Sequence, residues 1–313
     1  MILGVADHDE HLEHTIAGGP WIPPQAYLVG SAIFHYLGPS FAVLLFARVA
    51  PLGVAWLRIA SAAAVFALWR RPWRALVAAD RDGRILVISF AAVLALMNAC
   101  FYIAIDRLPL AMVAAVEFIG PILLAALGAR TGRNLLAVVA ATAGVFLLTQ
   151  VRLVGEPVGV TFAFANAALF AVYIVLAHQL SRRRVLGGID GLAVAMVISV
   201  IFISPLALGA AGPALLDPVA LAAGVGVGVC SSVIPYVFDQ VAMARVPRAT
   251  YALFVSLLPA TATVIGVIVL GQIPSVGDLV GIGLVIIGIA LHQPEPESDA
   301  VEAARPAEAV TPA

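Results

Sequence analysis

A carboxylate in the middle of a long apolar run is the first residue here that could do chemistry. Glu117 lies within AMVAAVEFIGPILLAAL, where a charge at bilayer depth costs roughly 2.5 to 3.5 kcal/mol and therefore needs a partner or a task. It could hold a solute ammonium or a proton. Arg58, within PLGVAWLRIASAAAVFALW, is the complementary group, because a guanidinium fork suits a carboxylate. Its stem could also snorkel toward the outer face. Two readings of Arg58 stand: bracing of helices, including a pair with Glu117, and direct contact with a solute carboxylate.

Further polar groups cluster in two other apolar stretches. Asn98 and Tyr102, in LMNACFYIAID, are four residues apart and share a helix face, where they could orient a solute or bind neighbouring helices together. In SSVIPYVFDQ, Ser231, Tyr236 and Asp239 surround Pro235. Tyr236 is a solute-orienting candidate, and Asp239 is a gating or coupling group with Arg245 as its partner. Asn166, Tyr173, His35, Tyr36 and His178 complete the set. The spacing His8, His11, His14 looks like a metal tract, yet no second cluster closes a site, so no metal site is expected.

These residues must be positioned by helices in lipid. Of 313 residues, 62% are hydrophobic and 11% charged, against roughly 25% charged in soluble domains. Every basic residue other than histidine is arginine, a habit of GC-rich bacterial genomes. Cys100 and Cys230 lie in apolar stretches and read as buried thiols. Ten segments meet the length and apolarity of a membrane span, near 25 to 47, 51 to 69, 85 to 105, 109 to 129, 134 to 150, 158 to 180, 189 to 210, 217 to 241, 248 to 270 and 277 to 292. Alternate loops collect the arginines. With both termini cytoplasmic, only Arg48, Arg107 and Arg152 fall outside, as the excess of positive charge on inner loops requires. Residues 1–24 then form an N-terminal cytoplasmic segment without the basic start of a cleavable signal, and 293–313 a polar, disordered tail.

The two halves resemble each other. Arg107-Leu108-Pro109 opens the fourth segment and Arg245-Val246-Pro247 the ninth, and Pro121 and Pro259 follow at equal intervals. Five segments per half is an odd number, so the second half enters from the opposite face. The expected architecture is an all-α integral membrane protein: ten helices in two inverted five-helix repeats, 25–152 and 153–292. Pro121 and Pro259 each deprive a carbonyl of its helical partner. At about 18 Å into their helices they lie near the midplane, where such carbonyls are tolerated only beside protein or a wet cavity. A central solute site follows, with ordinary packing kinks as the competing explanation. No G-x-x-x-x-G-K-[ST], H-E-x-x-H or G-x-S-x-G run occurs, which argues against ATP hydrolysis and leaves an intramembrane enzyme as a remote alternative.

The chain resembles the drug/metabolite transporter superfamily of EamA type, and most closely its threonine/homoserine-exporter branch. MNACFYIAIDRLPLAMVAAVEFIGP matches the branch pattern at Met97, Asn98, Phe101, Tyr102, Pro109, Leu110, Glu117, Phe118, Gly120 and Pro121. IPYVFDQVAMARVPRATY matches at Pro235, Tyr236, Asp239, Ala242, Arg245, Pro247 and Tyr251. Two positions depart: Leu258 stands where the family commonly has glutamate before the proline, and Gln272 where it has L-G-E. The resemblance implies export of small amino acids or related metabolites across the bacterial plasma membrane. It implies no cofactor and no nucleic acid. Energy would come from a proton gradient or from solute exchange; partners would be a small-molecule solute, protons in the first case and the bilayer, with the chain a monomer or weak homodimer. Efflux of drug-like cations or aromatic metabolites is the alternative.

Overall fold

Apolar runs in lipid can send their backbone polar groups only along a helix axis or across a closed barrel. The computed structural model describes residues 23–120, 122–123, 131–181, 183, 185–243 and 258–291, and every regular element among them is helical.

Proline and aspartate mark where the helices begin. α1 (Pro24–Leu45) and α2 (Pro51–Arg70) carry proline in the first turn, where its missing N–H would be unpaired anyway. A short α3 (Trp73–Ala78) follows. It was not among the expected segments, and its exposed Trp73 beside Arg71 and Arg74 has the composition of a membrane interface. Asp80 caps α4 (Arg81–Ile105) by accepting from Gly83 N at 3.1 Å. Next come α5 (Leu110–Glu117), α6 (Gly132–Gly155), α7 (Pro157–Ser181) and α8 (Gly188–Leu215). Asp217 caps α9 (Pro218–Gly228), which passes through a π-helical turn, Val229–Val233, into α10 (Ile234–Met243). α11 (Leu258–Leu270) and α12 (Val276–Leu291) complete the described chain.

Among the described residues, six helices are long and apolar enough to cross a membrane: Gln25–Leu45, Pro51–Arg70, Arg81–Ile105, Pro157–Leu180, Gly188–Leu215 and Pro218–Asp239. Shorter apolar helices are Gly132–Leu148, Leu258–Leu270 and Val276–Leu291. The segments expected at 109–129 and 248–270 run partly through residues outside the described set, as do Pro121 and Arg245. The distribution of side chains is that of a multi-pass membrane protein. Leu68, Leu216 and Ile268 point outward at 84%, 88% and 73% exposure, while Asn98, Asn166, Ser199, Ser231 and Ser232 are buried. Water would invert that order; lipid does not.

Helices pair in a pattern that repeats. α2 and α8 run antiparallel, with Trp56 Nε1 donating to Ser204 Oγ at 2.8 Å near one end and Arg70 paired to Asp190 at 2.8 Å near the other. α6 and α12 also run antiparallel, Ala141 lying against Gly288 and Leu148 against Gly281. At their crossing the backbones nearly touch: a Cβ on Gly144 would stand 2.5 Å from the Gly281 carbonyl oxygen. Small residues permit this approach, and dispersion contacts then do what the hydrophobic effect cannot do in lipid. If the helices of 24–155 are exchanged with those of 157–291, α9 and α10 counted as one span opposite α4, observed pairs map onto observed pairs. α1 with α10 becomes α7 with α4, α2 with α9 becomes α8 with α4, and α1 with α11 becomes α7 with α5.

Candidate functional site

Arg58 is held by a break in the helix opposite. Gly228 brings the start of the π turn against α2, where a Cβ would lie 2.7 Å from the Arg58 carbonyl oxygen. The extra residue of the π turn presents Ser231 and Ser232 to α2. Arg58 Nε donates to Ser232 Oγ at 3.1 Å, and its terminal nitrogen Nη2 donates to the Ser231 carbonyl at 3.1 Å. That carbonyl lies four residues before Pro235, which has no N–H to give it. The sequence therefore exposes an acceptor at mid-helix and the structure fills it with a guanidinium. Arg58 also stands over the Tyr102 ring, 5.7 Å from its centroid, a cation–π arrangement. The expected pair with Glu117 is not formed. Arg58 braces α2 against the π turn, and Glu117 is engaged elsewhere.

Glu117 ends α5, and Asn166 on α7 donates Nδ2 to its Oε1 at 3.2 Å. Asn166 is fully buried, whereas Glu117 retains partial exposure. That exposure opens onto a cavity of about 80 Å³, whose wall includes Arg58, Asn98, Glu117, Asn166, Ser232 and Tyr236. Met97, Phe101, Phe118, Phe170 and Met196 supply its apolar surface. Among the described residues, Glu117 is the only carboxylate in that wall, and Arg58 the only guanidinium.

A second space of about 200 Å³ adjoins the first, and His35, Phe118, Phe170, Tyr173, Tyr236 and Leu258 border both. It reaches Leu28 and Ser31 at the start of α1 and Asp239 on α10. Tyr173 and Tyr236 close the border from opposite sides, their hydroxyls 3.4 Å apart, and Tyr173 stacks with Phe170 at 5.9 Å. Around the start of α5, Leu108, Leu110 and Val113 are at most 2% exposed.

The structure thus brings together Glu117, Arg58, Asn98 and Tyr236, and sets Asp239 in the adjoining space. Asn98 gives its N–H to the Leu94 carbonyl at 2.8 Å within its own helix. Tyr102 does not line the cavity. It is fully buried behind Arg58, between Phe46 and Phe101, and its hydroxyl sits beside Ser231 without proper hydrogen-bond geometry. Pro259 is buried in the first turn of α11, its carbonyl accepting from Thr263 Oγ1 at 2.8 Å. Asn166 and Tyr173 carry more of the site than their sequence context indicated. A polar residue in an apolar run was the available signal, and the facing residue was not.

The two departures from the family pattern have separate consequences. Leu258 borders both spaces, so an acid absent there leaves Glu117 without a second carboxylate. Gln272 is elsewhere: its Oε1 accepts from Leu110 N, the first residue of α5, at 3.1 Å. It satisfies one of the four N–H groups that a helix start leaves unpaired.

Comparison with known proteins shows the family of the chain. Residues 157–292 match the EamA-like transporter family. The chain is 30% identical over 255 residues to the threonine/homoserine exporter RhtA of Salmonella typhimurium (strain LT2), covering 80% of this chain and 84% of that one. To the protein of the same name from Escherichia coli (strain K12) it is 29% identical over 272 residues, covering 85% and 89%. A solved crystal structure shares the fold at a TM-score of 0.56 and 18% identity, covering 85% of this chain and 97% of its own. The chain belongs to the EamA-like transporter family, near its threonine/homoserine-exporter branch.

Proposed function

We propose that this protein is a secondary active transporter that exports small amino acids of the threonine/homoserine kind across a bacterial inner membrane by alternating access. The observation that carries the reading is one carboxylate and one guanidinium facing a single cavity without neutralising each other. A zwitterion has the matching charges.

The ten-helix reading, with inverted repeats at 25–152 and 153–292 and both termini cytoplasmic, draws support from the exchangeable helix pairs and from the antiparallel run of α2 with α8 and α6 with α12. Transporters built this way hold their solute at the interface of the repeats. The cavity adjoins a space reaching Asp239. We read this as access from the cytoplasmic side, with Asp239, Arg245, Pro121 and Pro259 as gating or coupling elements and protons as the coupling ion. The rings of Phe101, Phe118 and Phe170 in the wall favour a second reading, efflux of aromatic metabolites or drug-like cations.

Efflux from preloaded proteoliposomes separates the two. Threonine and homoserine are expected to leave faster with native protein than with Glu117→Gln, and an imposed pH gradient should change the native rate. Release of aromatic or cationic probes without either amino acid would replace the first reading by the second.

A further inference from the structure

Asn166 has a second task that its bond to Glu117 imposes. An ionised carboxylate only accepts hydrogen bonds, so the amide must turn its NH₂ group toward Glu117, as the 3.2 Å contact from Nδ2 to Oε1 records. This leaves Oδ1 as the amide's acceptor. Among the described residues, that buried oxygen has no hydrogen-bond partner. Buried acceptors are almost always paired, and Asn166 is fully buried in the wall of the cavity. An unpaired acceptor beside a carboxylate calls for a positively charged donor with more than one N–H.

We propose that Glu117 and Asn166 Oδ1 together form a primary-ammonium subsite, so that Asn166 is a specificity-determining residue for the solute's amino group. The inference rests on the amino-acid reading above and goes beyond it by dividing the cavity. Asn166 and Glu117, from α7 and α5, hold the ammonium, while Arg58 and Ser232, from α2 and the π turn, face the carboxylate. Asn98, the other amide in the wall, commits its N–H to Leu94. A secondary alcohol in place of the amine offers one donor instead of three and cannot satisfy both acceptors.

The test is counterflow of radiolabelled threonine into proteoliposomes holding the full chain, with unlabelled threonine or 2,3-dihydroxybutanoate, its analogue bearing hydroxyl in place of amine, as competitor. In Asn166→Leu the half-maximal concentration of threonine should rise about 10-fold or more while that of the hydroxy acid moves less than about 2-fold, since lost polar recognition penalises only the solute that used it. Asn166→Asp keeps the side chain's shape and an acceptor while adding a carboxylate, so threonine should gain about 5-fold or more over the hydroxy acid relative to Asn166→Leu. Equal shifts for threonine and the hydroxy acid in both variants would assign Asn166 to packing alone and overturn the inference while leaving the amino-acid reading intact. Native protein that exchanges no amino acid at all would remove the ammonium solute, and the reading and the inference with it.

Discussion

Arg58 and Glu117 face one cavity and do not touch: the guanidinium is fastened to Ser232 Oγ and the Ser231 carbonyl, each at 3.1 Å, and the carboxylate to Asn166 at 3.2 Å. Two opposite charges in a low-dielectric interior attract strongly. They stay apart here because each has partners on other helices, which keeps both available to a solute.

That arrangement depends on the shape of the guanidinium as well as its charge. Arg58→Lys retains the cation but cannot reach both the Ser232 hydroxyl and the Ser231 carbonyl with one compact ammonium. Hydrogen bonds to charged groups contribute roughly 1.5 to 3 kcal/mol, so threonine efflux is expected to fall about 10-fold or more. Ser232→Ala, which removes one acceptor and no charge, should fall by less. Rates equal to native in the lysine variant would show that only the charge matters.

The close crossing of α6 and α12 predicts a contrast between two glycines. A Cβ at Gly144 would meet the Gly281 carbonyl at 2.5 Å, whereas one at Gly283 meets nothing within 4 Å. Overpacking costs typically 1 to 3 kcal/mol, about, so Gly144→Ala should lower the melting temperature of the detergent-solubilised protein and Gly283→Ala should leave it unchanged.

At the start of α5, Gln272→Ala removes the acceptor for Leu110 N. Losing a cap costs about 1 kcal/mol, and hydrogen exchange of the Leu110 amide should accelerate roughly five-fold, in line with that figure. Gln272→Glu should protect the same amide at least as well as the native residue, because a negative charge is favourable at a helix N-terminus.

Asp217, the cap just outside the span Pro218–Asp239, predicts a pH dependence. The backbone N–H of Ala220, then that of Val219, with Arg48 adding its charge, hold its carboxyl below the ordinary value of 3.8. A depressed folded-state value means that the contribution to stability is fully present above 3.8 and is lost as the pH falls through the lower folded value. Melting curves should show native protein losing stability across that interval more steeply than Asp217→Asn.

The proposed sidedness is open to a chemical test. Arg48 and Asp80 have side chains of similar exposure, 60% and 64%, yet the arginine distribution puts them on opposite faces. In a chain with Cys100 and Cys230 changed to alanine, Arg48→Cys should react with a membrane-impermeant maleimide on intact cells. Asp80→Cys should react only after the membrane is opened. The reverse pattern would invert the topology.

Much of this protein was already decided along the chain. Apolar runs of bilayer length in lipid must become helices, because nothing else satisfies their backbone, and expected segments such as 51 to 69 and 158 to 180 fall on α2 and α7. A lone carboxylate at Glu117 announced itself because its burial is costly. Pro235 lacks an N–H for the Ser231 carbonyl, but only the structure shows Arg58 occupying it. What only the tertiary structure decided was which face of each helix turns inward and what it meets there. Soluble helices reveal that face by alternating polar and apolar stripes. Helices in lipid are apolar all round, so their sequences carry little record of it. Tyr102 and Asn98 share a helix face, yet packing put one behind Arg58 and the other at the cavity. The bonds that define the site join residues 49 and 174 positions apart, pairings that arise only when the helices have come together.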